Sequence, residues 1–198
     1  MDEQILRRIA GGEHEALGEL AERYEADLLG LARGLLGGSR SQAEDAVQDA
    51  WIRVLRGASG FQGRSSVKTW LFRIVINRCR DSQRSARRAR VRETESFRLV
   101  NESANEPSNP AQDQTDRDRR LHIALHALPA VQREAVLLCH HRGVSQSEAA
   151  LVLDIPEGTL KGRVRSGLAE LRKRLGSVDV EHSGSKTASH ESKKGRTP

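Results

Sequence analysis

Residues 154–168 read DIPEGTLKGRVRSGL and combine closely spaced basic side chains with apolar residues at helical intervals. Lysine and arginine can donate hydrogen bonds to guanine edges or to phosphates, so this composition suits contact with a polyanion. The apolar residues predict the buried stripe of one helix, formed by Leu160, Val164, Leu168 and Leu171. With a rotation of about 100° per residue, Lys161, Gly162 and Arg165 then point outward. Arg163 lies on the flank of this basic face.

The residues before this helix have the pattern of a helix-turn-helix. Ser145 is followed three residues later by Glu148, a capping box that predicts the start of a short helix. Residues 154–156 predict the turn, and Pro156 suits the start of the next helix, where a backbone N–H has no partner. An outward basic face on the second helix is what reading of the DNA major groove requires. A solvated basic face on an ordinary helical hairpin is the alternative interpretation.

Two glycines interrupt the second helix, although glycine costs about 1 kcal/mol relative to alanine inside a helix. Gly162 lies on the outward face between Lys161 and Arg165, where the lack of a side chain would let the helix approach DNA more closely. Gly167 lies beside Leu168, near the packed side. We expect its small size to ease packing against the preceding helix.

A second basic group follows a glycine-rich loop at residues 57–66. The loop carries Phe61, Gln62 and Arg64, which could capture an unstacked base, although a plain connector would look similar. The helical pattern that follows places four residues on one face, at steps of four, three and four: Arg73, Asn77, Arg80 and Arg84. Residues 72–92 contain eight arginines and one acid, whereas solubility alone usually mixes the signs. This asymmetry favours contact with nucleic acid.

An acidic face is predicted on the amphipathic helix SQAEDAVQDAWIRVL at residues 41–55. Its apolar stripe includes Ala46, Val47 and Trp51. The opposite face carries Glu44, Asp45, Gln48 and Asp49. Such a face could dock on a basic helix of a partner protein, or it could simply be solvated.

The composition of the chain indicates small helical cores. Of its 198 residues 36% are hydrophobic and only 3% aromatic, and the formal net charge of +6 favours a polyanionic partner. Because no alternating strand pattern of useful length occurs, we predict an all-α fold with two small helical domains joined by a flexible linker. The linker carries seven acidic residues and two arginines. The predicted ranges are a first domain at 10–92, the linker at 93–118, a second domain at 119–176 and a disordered tail at 177–198.

Three stretches of the chain, taken in order, resemble a known family. They are AEDAVQDAWIRVL, FQGRSSVKTWLFRIVINRCRD and LPAVQREAVLLCHHRGVSQSEAALVLDIPEGTLKGRVRSGLAELRKRL. Together they resemble the extracytoplasmic-function (ECF) group of the sigma-70 family of bacterial sigma factors, over about residues 10–90 and 120–175. The resemblance implies the two domains that this group keeps, called regions two and four. It also implies promoter-specific initiation of transcription by RNA polymerase.

The resemblance implies a role for each group of residues. It implies binding to the coiled coil of the polymerase beta-prime subunit for Glu44, Asp45, Gln48 and Asp49. Melting of the minus-ten element and capture of a flipped base are implied for Phe61, Gln62, Arg64, Lys68 and Trp70. Contact with DNA on the helix that follows is implied for Arg73, Asn77 and Arg80, and we expect Arg84, on the same helical face, to contact a phosphate. Reading of the minus-thirty-five element is implied for Thr159, Lys161, Gly162, Arg163, Arg165 and Ser166.

The resemblance also implies partners and shows some departures. The implied partners are core RNA polymerase, through its beta-prime coiled coil and beta flap, promoter DNA, and an anti-sigma factor. Asp154 stands where the family usually has glycine before the recognition helix, and Gly167 stands where alanine is common. Gly162 stands where the family commonly has serine. Ser166 stands where it often has a large basic or aromatic residue. These departures leave the promoter sequence open but not the class of protein.

Enzymatic, metal and redox functions find little support in the chain. There is no glycine loop followed by Lys and Ser or Thr, and no pairing of a nucleophile with a base, so we predict no enzyme and no cofactor. His122 and His126 lie near residues 139–141, CHH, but a zinc site needs four ligands at closer and more ordered spacing. We therefore predict no metal site. A bridge between Cys79 and Cys139 would join the two domains, but Cys79 lies on an apolar stripe and is expected in the core.

Two other functions compete with a sigma factor. A helix-turn-helix regulator that binds duplex DNA without polymerase would have the same C-terminal half. In such a regulator, however, the acidic helix and the 61–70 loop would have no evident role. A sigma-mimicking adaptor usually carries a receiver domain, for which the sequence shows no strand–helix pattern. The start MDE lacks the order of a signal peptide, and LLGLARGLLG is too short to span a bilayer. We therefore expect a cytoplasmic bacterial protein without membrane insertion, associated with the nucleoid when bound to polymerase.

Overall fold

The computed structural model describes the backbone of residues 1–97, 116–140 and 144–183, and within these ranges the regular structure is entirely helical. This confirms the all-α prediction. The helices are α1 Asp2–Ala10, α2 Leu17–Leu35, α3 Arg40–Gly57, α4 Val67–Phe97, α5 Asp116–His126, α6 Ala130–Cys139, α7 Gln146–Leu153 and α8 Glu157–Ser183, with short 3-10 turns at His14–Ala16 and Ala58–Gly60.

Two helices extend beyond the ranges that the sequence analysis gives them. Helix α4 continues to Phe97, into the range predicted as linker. Helix α8 continues to Ser183, into the range 177–198 that the sequence predicts as a tail. Neither 93–97 nor 177–183 contains glycine or proline, and extending an existing helix adds one hydrogen bond for each residue ordered. Residues 98–115 of the predicted linker and 184–198 of the predicted tail lie outside the described residues.

The N-terminal helices pack around a core of fully buried aliphatic side chains. Helix α3 begins at Ser39, whose hydroxyl accepts a hydrogen bond from the Gln42 backbone N–H. Helix α4 passes against α2 and α3 and contributes Phe72, Val75 and Ile76 to the core. From α2 and α3 the core takes Leu20, Leu28, Leu31, Val47 and Val54. The packing leaves the acidic face of α3 and the basic face of α4 at the surface of this unit.

The C-terminal helices form the helix-turn-helix that the sequence predicts. Ser145 and Glu148 make a complete capping box at the start of α7. The turn after α7 places Asp154 at φ +57°, in the left-handed region that favours glycine. Among the other residues, asparagine and aspartate tolerate this region best. Leu160 is fully buried at the start of α8. The turn therefore holds α8 by its buried stripe and leaves the opposite face exposed.

The two groups of helices contact each other, and one hydrophobic cluster includes residues of both. One close approach is at Gly34 on α2, where an added Cβ would lie 2.9 Å from the Leu137 Cδ2 atom of α6. At the adjoining turn Gly37 has φ +81°, and its Cα faces the ring of His126 on α5. Burial, followed by the charges of Arg133 and His122, lowers the pKa of His126 to about 4. The His126 ring is therefore neutral at neutral pH.

Candidate nucleic-acid interface

The outer face of α8 presents the basic residues that the sequence predicts there. Thr159, Lys161, Arg165 and Ser166 are exposed, while Gly162 and Arg163 are partly buried. The Lys161 Nζ atom lies 3.0 Å from Glu157 Oε1, an exposed pair one turn apart that adds little stability. An added Cβ at Gly162 would meet no atom within 4 Å, so this part of the helix is open to close approach.

The loop before α4 carries a partly exposed aromatic pair. The rings of Phe61 and Trp70 meet edge to face, with centroids 5.4 Å apart and planes at 61°. Gln62 and Arg64 are exposed on either side of Gly63, which has φ +67°. The arrangement combines flat apolar surface with hydrogen-bonding groups, which is what capture of an unstacked base requires.

The start of α4 fixes the position of this loop. The Ser66 hydroxyl accepts a hydrogen bond from the Thr69 backbone N–H at 3.1 Å and so caps the helix. Lys68, in the first turn, places its ammonium 5.8 Å from the centroid of the buried Phe72 ring. Loop and helix therefore form one continuous surface from Phe61 to the basic face of α4.

The basic face of α4 runs along the side of α4 that meets the C-terminal helices. Arg73, Asn77 and Arg84 are exposed, whereas Arg80 is partly buried. Two of these arginines are ion-paired with the C-terminal helices: Arg80 with Glu134 at 2.8 Å and Arg73 with Asp154 at 3.4 Å. These carboxylate partners could not be predicted from the sequence, because residues 54 and 81 positions away give no local signal.

The acidic face of α3 is less uniform than its sequence suggests. Glu44 accepts a hydrogen bond from Arg40 at 2.7 Å, and Asp49 is paired with Arg78 of α4. Asp45 and Gln48 are exposed, and Asp45 has no ion-pair partner among the residues that the structure describes. Asp45 and Gln48 are therefore the members of this face most accessible to a partner. The roles of Arg40 and Arg78 were missed because pairing with the acidic face depends on rotamer and on the packing of α4.

The described histidine and cysteine residues do not converge on a common centre. Among the described residues no group of three or more His, Cys, Asp or Glu side chains could hold a metal ion. His122 Nδ1 lies 2.9 Å from the Asp118 carbonyl oxygen, and His141 lies outside the described part of the chain. Cys79 and Cys139 are both unbridged thiols, and burial raises the pKa of Cys79 to about 12. Cys79 is thus a core residue, as its apolar stripe predicted.

The structure combines a helix-turn-helix that has an exposed basic face with a second helical unit that carries an aromatic loop and an arginine-lined helix. This combination is typical of DNA-binding transcription factors. Two family models match the chain, Sigma-70 region 2 over residues 20–89 and Sigma-70, region 4 over residues 118–171. The chain is 33% identical over 179 residues to the ECF RNA polymerase sigma factor SigM of Mycobacterium tuberculosis, covering 90% of this chain and 87% of that protein. The chain therefore belongs to the ECF group of the sigma-70 family, and it is a sigma factor for transcription initiation.

Further relatives and solved structures agree with this assignment. The ECF RNA polymerase sigma-E factor of Haemophilus influenzae is 25% identical over 170 residues, covering 82% of this chain and 89% of that protein. The structure of CnrH in complex with the cytosolic domain of CnrY superposes with a TM-score of 0.66 at 27% identity, covering 89% of this chain and 97% of that one. The sigma factor RpoE of Bartonella quintana, solved with the anti-sigma factor NepR, gives 0.57 at 29% identity, covering 79% of this chain and 96% of that one.

Proposed function

We propose that the exposed face of α8 reads the minus-thirty-five element and that the loop and basic face of α4 hold the minus-ten element. The observation that carries this proposal is the outward placement of the basic residues of α8 around the open position at Gly162. Lys161 and Arg165 supply the donors that pair with guanine edges. Gly162 lets the helix backbone approach the floor of the major groove.

The N-terminal helical unit is proposed to contact an unpaired DNA strand. The Phe61 and Trp70 rings offer a stacking surface, and Gln62 and Arg64 supply hydrogen bonds to a base or to its phosphate. Arg73, Asn77, Arg80 and Arg84 then follow the DNA backbone along α4. Binding to the beta-prime coiled coil of core polymerase falls to the acidic face of α3, chiefly to Asp45 and Gln48, with Glu44 and Asp49 beside them.

The proposed function also involves further protein partners and a cytoplasmic location. Because the structures of the relatives CnrH and RpoE were solved in complex with CnrY and with an anti-sigma factor, we infer that an anti-sigma factor also binds this chain. The beta flap is the proposed polymerase contact of the C-terminal domain. The protein acts in the cytoplasm and without catalysis of its own. No helix of the described residues has the length and apolar character that crossing a membrane requires.

Transcription in vitro tests the proposed function. We expect the purified chain to bind core RNA polymerase and to start transcripts at defined sites on genomic fragments, with weak binding to promoter duplex alone. Start sites are mapped from the transcript ends, and core polymerase without the chain is the control. Tight and specific duplex binding in the absence of core polymerase would instead support the regulator that acts without polymerase.

The division of roles between two arginines gives a sharper prediction. Replacing Arg165 with alanine is expected to relax selectivity at one upstream base, because a base contact is worth about 1–3 kcal/mol for the right base only. Replacing Arg84, whose guanidinium is exposed on α4, is expected to weaken all promoters alike and to lower the salt slope by about one. Affinities of the polymerase holoenzyme for a set of single-base promoter variants at several salt concentrations measure both effects. Equal weakening of every promoter by both substitutions would contradict the division.

A further inference from the structure

Helix α1 packs against the turn from which the aromatic loop starts. Apart from α3, which runs directly into it, α1 is the element that the turn Ala58–Gly60 mainly contacts. Ala58 is buried in the same hydrophobic cluster as the three buried side chains of α1, which are Ile5, Leu6 and Ile9. Phe61 follows this turn, and its backbone N–H donates a hydrogen bond to the Ala58 carbonyl oxygen at 3.2 Å. Helix α1 therefore supports the N-terminal end of the loop.

The loop itself depends on its two ends. Residues 62–64 are exposed, so this part of the loop does not bury side chains that would hold it. Its C-terminal end is fixed by the Ser66 cap of α4, and its N-terminal end continues from the turn that lies on α1. The 5.4 Å separation of the Phe61 and Trp70 rings joins these two ends. The position of the Phe61 ring is therefore set partly by α1.

Charged side chains hold α1 in place at both of its ends. At the start of α1, the Asp2 carboxylate accepts hydrogen bonds from the Arg23 guanidinium and the Tyr24 hydroxyl of α2. Burial, followed by the hydrogen bond to Asp2, raises the pKa of Tyr24 to about 12, so the hydroxyl keeps its proton at neutral pH. Near the end of α1, Arg8 Nη1 lies 2.6 Å from Glu19 Oε1 of α2. These contacts fix α1, and with it the turn, against the rest of the helical unit.

We propose that α1 is a positioning element for base capture, which holds the turn at 58–60 so that the Phe61 ring is in place when an unstacked base arrives. The proposal rests on the proposed function, since it concerns the loop that receives the base. Neither family model accounts for α1, because the residues that they match begin at 20. Asp2 and Leu6 are then positioning residues, which act through the turn and not by contact with DNA.

The expected effect is confined to the captured base. A loop that is held before binding loses little conformational freedom when the base arrives, whereas a loosened loop must first be ordered. The basic face of α4 and the acidic face of α3 lie on helices that pack mainly against α2 and against each other. Loosening α1 should therefore weaken the base contact but leave the phosphate contacts and the binding to core polymerase unchanged.

The first test variant removes a buried side chain of α1. Leu6→Ala deletes a side chain that is 1% exposed, and the matched control Leu35→Ala makes the same deletion at a site on α2 that is 2% exposed. Leu35 is far from the loop, because its carbonyl oxygen accepts a hydrogen bond from Gln83, which follows Trp70 by about 20 Å along α4. Urea unfolding of both variants gives the general loss of stability that each deletion causes.

The second test variant removes a charge at the start of α1. Asp2→Asn takes away the negative charge that Arg23 of α2 holds. The matched control Glu3→Gln makes the same carboxylate-to-amide change one residue later, where the partner Arg7 lies 3.8 Å away within α1 itself. Both positions belong to the first turn, so their interaction with the helix dipole is alike.

The experiment measures how strongly the holoenzyme of core polymerase and each full chain recognises single bases. The probe is a fluorescein-labelled oligodeoxynucleotide with the non-template minus-ten strand of a promoter mapped by transcription, in which each base in turn is replaced by an abasic site. Anisotropy gives the dissociation constants, and the ratio of the abasic to the intact value measures the contribution of each base. The parent holoenzyme should show its highest ratio at the captured base, because stacking on an aromatic ring contributes there.

Loosening α1 is expected to lower this ratio at the captured base only. We expect a decrease of about fivefold for Leu6→Ala, since misplacement of a binding group by a distant change has effects of this order or larger. For Asp2→Asn we expect about twofold, because a partly exposed ion pair contributes less. Leu35→Ala and Glu3→Gln should give the parent ratio. In a chain that already carries Phe61→Ala, adding Leu6→Ala should change the ratio no further.

The outcomes separate this proposal from the proposed function. Equal ratios for Leu6→Ala and Leu35→Ala would overturn the positioning role, since a general loss of stability affects both alike. If Leu6→Ala does not bind core polymerase, the comparison of Asp2→Asn with Glu3→Gln decides, and equal ratios for these two would overturn the proposal as well. A parent holoenzyme without a raised ratio at any base would instead refute base capture by the loop, which is part of the proposed function itself.

Discussion

Replacing Asp45 with lysine is expected to weaken binding of the chain to core RNA polymerase by about 100-fold. Asp45 is exposed on α3, and its carboxylate is available to a partner, whereas Glu44 and Asp49 are engaged with Arg40 and Arg78. A lysine would place a positive charge against a basic partner helix, and like charges across an interface cost several kcal/mol. A loss of about 3 kcal/mol corresponds to a factor of about 100 in the dissociation constant. Titration of labelled chain with core polymerase measures it.

The matched control for this substitution is Glu25→Lys. Glu25 is exposed on α2 in the same helical unit, so the two substitutions make the same change in charge. We expect Glu25→Lys to bind polymerase as the parent does, and both variants to stay folded. Equal losses of affinity for the two would show that net charge, and not the α3 face, determines binding.

Features that depend on neighbours within one or two turns could be predicted from the sequence. The capping box at Ser145 and Glu148 needs only residues three apart, and the structure contains it. The stripe in which Leu160 and Leu171 are buried and Val164 and Leu168 half-buried follows from helical rotation alone. The exposure of Lys161 and Arg165 on the other side of α8 follows in the same way. These local rules suffice to predict the elements and most of the exposed faces.

Contacts between helices that are distant in the sequence could not be predicted in the same way. The pairing of Arg80 with Glu134 and the approach of Leu137 to Gly34 both arise from the closure of one domain on the other. Periodicity indicates which face of a helix is buried, but it does not identify the partner. For the same reason the roles of the candidate site residues stay predictions, since exposure makes a side chain available without naming what it binds.

Gly167 illustrates this limit, because its environment was predicted correctly but its neighbour was not. From the sequence, the small residue is predicted to ease packing against the preceding helix, which is α7. In the structure an added Cβ at Gly167 would lie 2.7 Å from Val136 Cγ2 and 3.4 Å from Gln132 Cβ, both on α6. The contact between α6 and α8 holds α8 in place, and it needs a residue without a side chain at this point.

Substituting alanine at each of the two glycines of α8 is expected to change stability in opposite directions. At Gly162 the added methyl meets open space, so the gain in helix propensity should raise the free energy of unfolding by up to about 1 kcal/mol. At Gly167 the same gain is opposed by overlap with Val136, whose β-branched side chain cannot rotate away easily. Overpacking of this kind costs about 1–3 kcal/mol, so the net effect should be a loss.

Urea unfolding followed by circular dichroism measures the difference between the two alanine variants. The two substitutions are chemically identical and lie in one helix, so propensity cancels in the comparison and the packing of Gly167 against α6 remains. We expect Gly162→Ala to exceed Gly167→Ala by about 2 kcal/mol in the free energy of unfolding. Equal stabilities would mean that the contact between α6 and α8 relaxes around the added methyl at no cost. The basic face of α8 would then lack the rigid support that selective reading of bases requires.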